Sequence, residues 1–145
     1  MNLIIREAAQ KDLAQLCALM TELTGHAVTA AEMQNRLDMV QNSPREELYV
    51  CAVDGTVQGI LGFRIRENLE EVSRFGEISC LVTCAQSRKA GIGRALMAFA
   101  ENLAKQHGCK GTWLVSGFGR EEEAHTFYKK LGYAITGYRF VKPFA

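Results

Sequence analysis

Apolar positions along the chain follow two different spacings, and the change between them separates strands from helices. Asn2 to Arg6 is short and rich in aliphatic residues, which predicts a strand. After it, apolar side chains recur every three or four residues, the spacing of one helical face: Leu13, Leu16, Cys17, Met20 and Leu23. Thr29 precedes Glu32 by three residues, the pattern of a capping box, and predicts a second helix that ends at about Gln41.

The middle of the chain reads as antiparallel strands. Leu48 to Val53 and Val57 to Arg66 flank Asp54-Gly55, a dipeptide that tolerates positive φ and closes tight hairpins. Phe75 to Thr83 is a third strand of similar character. The sequence therefore predicts three long strands in succession.

The last third of the chain alternates between helix and strand. The predicted elements are a helix opened by Gly91 and Gly93 and ended by Gly108, a buried strand at Thr112 to Ser116, a helix at Glu121 to Leu131, and one or two closing strands at Tyr133 to Val141. The order β α α β β β α β α β predicts an α/β fold with a mixed, mostly antiparallel central sheet and helices on both faces. The strand before Gly91 is expected to pair in parallel with the strand after Gly108.

Composition limits the classes of protein that fit. The chain has 145 residues, of which 48% are hydrophobic and 23% charged, so one soluble domain over residues 1–145 is predicted. Lys and Arg number 17 against 16 Asp and Glu, so no overall field attracts nucleic acid or an anionic membrane. With neither a leader pattern nor an apolar run of about 18 residues, we expect a cytoplasmic protein.

The cysteines are typical of free thiols in a reducing compartment. They number five and are irregularly spaced, which does not suit a disulfide framework. Cys80 and Cys84 could suggest a metal site, but on a strand they would lie ~13 Å apart at ~3.3 Å per residue. We therefore predict no bound metal.

A turn with two glycines and several cations joins the third long strand to the next helix. Its sequence is Gln86-Ser-Arg-Lys-Ala-Gly-Ile-Gly-Arg-Ala-Leu-Met97. The first amides of a helix lack intrahelical acceptors, and glycine lets a phosphate approach the backbone. Arg88, Lys89 and Arg94 add positive charge, so the turn predicts a phosphorylated ligand. The alternative is a turn that serves only helix packing, with its cations in solvent.

Two common nucleotide motifs do not fit this turn. A Walker loop ends in Gly-Lys-Ser/Thr, whereas Gly93 is followed by Arg94 and Ala95, which offer no hydroxyl to Mg²⁺. A dinucleotide fingerprint requires Gly or Ala where Leu96 stands, and it normally follows the first strand of a parallel sheet. The sequence therefore disfavours phosphoryl transfer and dinucleotide binding.

Two motifs resemble those of the GNAT (Gcn5-related) N-acetyltransferases. Arg88-x-x-Gly91-x-Gly93 is similar to the family's coenzyme A pyrophosphate motif, and Ala124-x-x-x-Tyr128-x-x-x-Gly132-Tyr133 is similar to its second hallmark. The element order resembles that fold over almost the whole chain. Gly76-Glu-Ile and Tyr138-Arg-Phe-Val-Lys142 most resemble small bacterial members, including aminoalkylphosphonate N-acetyltransferases.

The resemblance implies acetyl-CoA as cosubstrate. The positions that it implies for cofactor binding are Val82, Thr83, Arg88, Lys89, Ala90, Gly91, Ile92, Gly93 and Arg94. The cofactor arm would lie between the strands that end near Thr83 and Ser116, with a backbone amide at about Val82 donating to the thioester carbonyl.

The resemblance also implies two catalytic residues. Tyr128 stands where the family places the acid that protonates the departing thiolate, and Glu77 is the first candidate for the general base. From spacing alone, Tyr128 also fits an apolar helical stripe, and Glu77 also fits a solvated edge carboxylate. Cys80 occupies a position that is often acidic in relatives, and we interpret it as inert packing rather than a nucleophile.

Other polar positions near these motifs are open. His125 and His26 could contact substrate, although a surface or satisfied histidine explains each of them. Glu121 stands where the family commonly has an asparagine, which puts that residue's contact to the cofactor arm in doubt. Glu67, Glu70 and Glu71 would suit a cationic acceptor, whereas Arg64, Arg66, Arg74 and Arg139 would suit an anionic one.

The predicted activity is transfer of an acetyl group to a primary amine, a small molecule, by direct attack in a ternary complex. A peptide or protein acceptor is one alternative, and a noncatalytic acyl-CoA-binding regulatory module is another. Neither nucleic acid nor a membrane is expected as partner, and the resemblance leaves both a monomer and a homodimer open.

Overall fold

The computed structural model describes residues 2–87, 91–116 and 121–144. These residues form five strands and four helices in the predicted order. The elements are β1 (Leu3–Glu7), α1 (Leu13–Thr24), α2 (Ala30–Gln41), β2 (Glu46–Val53), β3 (Thr56–Glu67), β4 (Arg74–Thr83), α3 (Ile92–Gln106), β5 (Gly111–Leu114) and α4 (Glu121–Lys130).

Local chemistry explains where several elements begin and end. The Thr29 hydroxyl accepts from the Glu32 amide over 3.1 Å, and the Glu32 carboxylate accepts from the Thr29 amide over 2.9 Å. This is the predicted capping box, and it starts α2. Asp54 and Gly55 have φ of 50° and 86°, so a two-residue turn of positive φ closes the β2–β3 hairpin as expected.

The sheet has the strand order β1-β2-β3-β4-β5. The β1–β2, β2–β3 and β3–β4 pairs are antiparallel, and β5 lies next to β4. The prediction of a mixed α/β fold with a mostly antiparallel central sheet is confirmed. The parallel sense of β5 relative to β4 stays a prediction.

Helices cover both faces of the sheet. On one face, α1 and α2 form a core with strand residues; its members are Leu16, Leu19, Met33, Leu37, Val50, Val57, Ile60 and Val82. On the other face, the ring of Tyr49 packs edge-on against Phe99 of α3, with centroids 4.8 Å apart. Adjacent residues of a strand point to opposite faces, which is why Tyr49 and Val50 contact different helices.

The chain divides into two compact units, residues 1–113 and residues 114–145. The first holds the sheet as far as Trp113 together with α1, α2 and α3, and the second holds α4 and the residues around it. The single domain predicted for residues 1–145 stays a prediction.

The closing strands predicted at Tyr133 to Val141 are wrong. The described residues 131–144 contain no strand. Tyr138, Phe140 and Phe144 are each at least 90% exposed, so no buried surface supports an extended segment there. A strand-like amino-acid pattern shows that a sequence fits a half-buried pleated surface. In this chain, the segment has no such surface to pack against. β5 is also shorter than predicted, since Val115 and Ser116 lie beyond its end.

No helix in the described parts of the chain combines the length and the hydrophobicity that a membrane crossing requires.

Candidate active site

The N-terminus of α3 has backbone amides without intrahelical acceptors. Gly91 caps the helix with φ of 83°, and a Cβ built on it would meet no atom of the described residues within 4 Å. Its carbonyl accepts the first helical bond, from the Ala95 amide over 3.0 Å. The amides of Ile92, Gly93 and Arg94 therefore precede the first intrahelical donor and suit an anion.

The side chains of this turn divide between the core and solvent. Ile92 is fully buried and anchors the turn, so it is the backbone of this residue that a ligand would meet. Arg94 is exposed on the first turn of α3, where its charge adds to the helix dipole. Arg88, Lys89 and Ala90, also predicted to bind the cofactor, lie outside the described residues. The described part of the turn fits a pyrophosphate.

The C-terminal end of β4 carries the two other predicted cofactor residues. Val82 is buried in the core beneath α1 and α2, opposite Ile60, whereas Thr83 is partly exposed. The Cys84 amide donates to the Gln58 carbonyl over 2.8 Å. Because amide directions alternate along a strand, the Val82 amide also faces β3, and the Thr83 amide faces the side of β4 away from β3.

A β-bulge interrupts β4 at Ser79. Gly62 pairs with Cys80 and Phe63 with Ile78, so Ser79 is the extra residue. A Cβ built on Gly62 would stand 2.6 Å from Oγ of Ser79 and 3.0 Å from Cβ of Cys80. Because Gly62 has no side chain, the side chain of Ser79 in the bulge can occupy the space beside it.

Glu77 is held by two guanidinium groups. It is 9% exposed and lies directly opposite Arg64 in the β3–β4 register. Its Oε1 accepts from Nε of Arg66 over 2.6 Å and lies 3.7 Å from Nε of Arg64. Oε1 is the carboxylate oxygen in both contacts, and the Arg66 contact is the shorter of the two.

A cavity of about 750 Å³ lies between the helices α1 and α2 and the strands β2, β3 and β4. Much of its wall is apolar, and the apolar lining residues include Met20, Val28, Met33, Met39, Val40 and Leu48. Its charged lining residues are Glu32, Arg36, Glu46, Glu47 and Arg64. Gly62, Ser79 and Cys80 bring the bulge to the same wall. The size and lining are those of a small-molecule site.

Cys80 is a thiol rather than a thiolate at neutral pH. Burial raises its pKa to about 11, so the nucleophilic form is scarce. The cysteines at positions 17, 51, 80, 84 and 109 are all free thiols. Within the described residues, no group of His, Cys, Asp or Glu is placed to hold a metal ion.

Tyr128 lies on α4, in the second unit, within an aromatic cluster. Its ring packs edge-on against Phe127 and Tyr133, with centroids 5.1 Å and 6.1 Å away. The Tyr133 amide donates to the Tyr128 carbonyl over 3.0 Å, which fixes the end of the helix. Tyr128 is partly buried.

The two histidines singled out from the sequence lie in different surroundings. His125 is partly buried on α4, and His26 is exposed in the α1–α2 connection. His26 does not line the cavity, whose wall passes through Thr24 and Val28 on either side of it. Glu121 is the first residue of α4.

Sequence reasoning missed the charged residues of the cavity wall. The sequence pattern singles out Arg64 only as one of several arginines, and it does not single out Glu46 or Arg36. The capping box indicates where α2 begins, and the hairpin turn indicates where β2 ends and β3 begins. No motif indicates that Glu46 and Arg64 face one cavity, because that depends on the register.

The family of the chain follows from comparisons with known proteins. Residues 13–133 match the family model described as Acetyltransferase (GNAT) family. The chain is 28% identical to the aminoalkylphosphonate N-acetyltransferase of Salmonella typhimurium over 138 residues, which cover 95% of this chain and 89% of that protein.

Two solved structures share the fold. A structure titled as a transcriptional regulator from Bacillus halodurans has a TM-score of 0.90 and 22% identity, covering 99% of this chain and 100% of that one. The aminoglycoside N-acetyltransferase AAC(6')-Iy in complex with CoA has a TM-score of 0.84 and 15% identity, covering 98% and 94% of the two chains.

The family match covers most of the chain, and the described start of α3 leaves the backbone amides of Ile92, Gly93 and Arg94 without intrahelical acceptors. The chain therefore belongs to the GNAT family of acetyltransferases and is an acetyl-CoA-dependent N-acetyltransferase.

Proposed function

We propose that this enzyme acetylates a small primary amine by direct attack of the amine on acetyl-CoA in a ternary complex. The observation that carries this proposal is the cavity of about 750 Å³ beside the β4 bulge. Its volume suits a small molecule, and its wall combines an apolar surface with a few charged groups. The likeness to an aminoalkylphosphonate N-acetyltransferase supports a small acceptor.

The cofactor site in this proposal runs from α3 to the end of β4. The amides from Gly91 to Arg94, together with the preceding Arg88, Lys89 and Ala90, bind the pyrophosphate. Thr83 offers its amide to the cofactor arm or to the thioester carbonyl, and Val82 supports that strand from the core. A preorganised amide donor to the developing negative charge is worth on the order of 3 to 4 kcal/mol.

Two side chains carry the proton transfers. Glu77 takes a proton from the amine, directly or through water, so that the nitrogen lone pair can form the C–N bond. The C–S bond breaks, and Tyr128 gives its proton to the departing CoA thiolate. A phenol has a reference pKa of ~10 and therefore remains a proton donor at neutral pH. Orientation of the two substrates supplies much of the remaining rate enhancement.

A direct mechanism requires no acyl-enzyme. Cys80 is the thiol on the cavity wall, and its pKa of about 11 disfavours attack on the thioester. The proposal therefore assigns Cys80 to the wall of the acceptor cavity and not to the chemistry.

A panel of amines tests this proposal. Thiol release from acetyl-CoA is followed with small amines, an amino-terminal peptide and a lysine peptide, and mass spectrometry identifies the acetylated product. We expect turnover with small amines, and initial-rate patterns that intersect as a ternary complex requires. Turnover with the peptides alone, or parallel patterns with an isolable acetyl-enzyme, would contradict the proposal.

A further inference from the structure

We propose that the acceptor is a zwitterionic amine, whose oxyanion binds Arg64 and whose ammonium group binds Glu46. This inference rests on the proposed function, since it concerns the acceptor of the same reaction. It adds a substrate class and two specificity-determining residues, both on the cavity wall.

Glu46 and Arg64 are cross-strand partners in the β2–β3 register. Oε1 of Glu46 lies 3.5 Å from Nε of Arg64, and the two side chains are 21% and 34% exposed. This separation is long for a charge-assisted hydrogen bond, which is usually below ~3 Å. The pair therefore compensates charge without using the full hydrogen-bonding capacity of either partner.

Arg64 has donors to spare. In its ion pairs with Glu46 and Glu77, the nearest Arg64 atom is Nε, and this buried atom has no hydrogen-bond partner in the described structure. A guanidinium carries five N–H donors and pairs best with a planar or tetrahedral oxyanion through two of them. The Nη1 and Nη2 groups of Arg64 are thus suited to an anionic ligand in the cavity.

The ion pair with Glu77 does not fully neutralise the charge of Arg64. Arg66 lies 2.6 Å from Oε1 of Glu77, whereas Arg64 lies 3.7 Å from the same atom. Arg66 is thus the closer partner of Glu77. Arg64 and Glu46 remain as a pair of opposite charges, and the charged groups of a ligand can replace their contact with each other.

The other two carboxylates of the wall, Glu32 and Glu47, are engaged by residues outside it, whereas Arg36 contacts another lining residue, Asn35. The Glu32 carboxylate accepts from the Thr29 amide, and the Glu47 carboxylate accepts from the Tyr49 hydroxyl and lies 3.4 Å from Nε2 of His107. Nε of Arg36 donates to Oδ1 of Asn35 over 3.0 Å. Glu46 is therefore the lining carboxylate whose partner, Arg64, also lines the cavity.

A pair of opposite charges on one wall selects among amines. A zwitterion places its anionic group on Arg64 and its ammonium group on Glu46. Arg64 and Glu46 then each replace their mutual ion pair with an ion pair to the ligand. An amine without an anionic group, such as propylamine, can pair with Glu46 but leaves Arg64 without a ligand, and a polycation meets the positive charge of Arg64. Carboxylate, phosphonate and phosphate share the required oxyanion chemistry, so the test includes more than one of them.

The experiment compares 2-aminoethylphosphonate, 3-aminopropanoate and propylamine as acceptors. Kinetic constants are measured for the wild type, Arg64→Gln, Arg64→Lys and the control Arg45→Gln. Arg45 is an exposed arginine at the start of the same hairpin, paired with Glu67 over 3.3 Å, and it does not line the cavity. Thermal unfolding establishes that each variant is folded.

We expect the wild type to have a lower KM for the two zwitterions than for propylamine. Arg64→Gln should raise the KM for the zwitterions about 10- to 100-fold, as expected for loss of a charge-assisted contact. It should leave the KM values for acetyl-CoA and propylamine unchanged, and any change in kcat should be equal for all three amines, because Arg64 also lies 3.7 Å from Glu77. Arg64→Lys keeps the positive charge but lacks the planar guanidinium, so its KM for the zwitterions should lie between those of the wild type and Arg64→Gln. It also provides the test if Arg64→Gln does not fold.

Failure of the inference differs from failure of the proposed function. Preferred turnover of propylamine, or an equal effect of Arg64→Gln on the KM values of all three amines, would overturn the zwitterion assignment and leave small-amine acetylation intact. An Arg45→Gln effect equal to that of Arg64→Gln would also overturn it. If none of the amines is acetylated by an enzyme that binds acetyl-CoA, both proposals are wrong.

Discussion

Arg66 donates from its Nε to Oε1 of Glu77 over 2.6 Å, so the proposed base is half of an ion pair. We expect Glu77→Gln to lower kcat for amine acetylation about 100-fold, in the range that general-base catalysis contributes. The KM for acetyl-CoA should not change. Steady-state thiol release at saturating and at limiting amine measures both quantities.

Glu67→Gln is the matched control for this substitution. Glu67 ends β3 and is paired with Arg45 and Arg74, so its loss also removes a carboxylate held by two arginines. A kcat for Glu77→Gln within twofold of the Glu67→Gln value would show that Glu77 serves only the ion pairs between the strands.

Tyr128→Phe removes the proposed acid and keeps the ring that packs against Phe127 and Tyr133. We expect kcat to fall by at least about tenfold with little change in either KM, because the lost proton acts on the departing thiolate. Thiol release measures the rate, and near-UV circular dichroism reports on the aromatic cluster.

Tyr133→Phe is the control for Tyr128→Phe, since it removes a hydroxyl from the neighbouring ring of the same cluster. Equal losses of kcat in both variants would mean that the cluster, rather than the Tyr128 proton, affects turnover.

Gly91 and Gly108 stand at opposite ends of α3 in the same unusual conformation. Their φ values are 83° and 70°, and a Cβ on either would meet no atom of the described residues within 4 Å. Alanine at each should therefore cost similar stability, about 1 kcal/mol from the left-handed backbone alone. Urea unfolding measures this cost.

Only the Gly91→Ala variant should raise the KM for acetyl-CoA, because its new Cβ would occupy the space that a phosphate approaches. Gly108→Ala supplies the same strain away from that space. If the two variants have the same KM for acetyl-CoA, the pyrophosphate does not bind at this turn.

Much of the fold follows from local signals in the sequence. The Thr29–Glu32 capping box, the Asp54-Gly55 turn and the glycines that end α3 and α4 lie where the pattern predicts them. Each is a short-range interaction, so a few residues determine it. The segment 133–141 differs, because a strand also requires a partner and a surface to cover, and the amino-acid pattern contains neither.

The charged wall of the cavity could not be predicted for a related reason. The Asp54-Gly55 turn pairs Val53 with Thr56, and the same register would place Glu46 opposite Phe63. A register shift between Cys51 and Ala52 moves the pairing by one residue, so Glu46 lies opposite Arg64 instead. A one-residue shift exchanges the two faces of a strand, and bulges carry no dependable local signature.

Asp12 is a buried carboxylate that stabilises the fold outside the candidate site. It is 1% exposed and accepts from Nη1 and Nη2 of Arg6 over 2.8 and 2.9 Å and from the Ala9 amide over 2.8 Å. The hydrogen bonds from Arg6, and then the Ala9 amide, hold its pKa below the ordinary value. The ionised form thus stabilises the native state above the unfolded pKa of ~3.9, and this contribution is lost as pH falls through the folded pKa.

Asp12→Asn should lower the free energy of unfolding at pH 7 by about 1 to 3 kcal/mol. Between pH 5 and pH 3, on the order of the Asp titration range, the wild type should lose more stability than the variant does. Urea unfolding at several pH values measures how the free energy of unfolding of each protein changes with pH. Glu22→Gln, at an exposed residue, is the control. Parallel slopes for the wild type and Asp12→Asn would show that another group titrates.

The packing of Gly62 against the Ser79 bulge gives a test of the acceptor cavity itself. A Cβ on Gly62 would stand 2.6 Å from Oγ of Ser79, closer than van der Waals contact permits, so one of the two must move into the cavity. We expect Gly62→Ala to raise the KM for the amine several-fold while the KM for acetyl-CoA stays constant. Removing Oγ as well, in Gly62→Ala/Ser79→Ala, should recover part of the lost affinity.

The single variant Ser79→Ala completes a double-mutant cycle, which isolates the contact between the two positions. A non-additive amine KM, with the double variant closer to the wild type than Gly62→Ala is, would mean that the bulge and Gly62 together shape the acceptor site. Strictly additive effects, or an equal rise in the KM for acetyl-CoA, would mean that the strands shift as a whole and that the amine binds elsewhere.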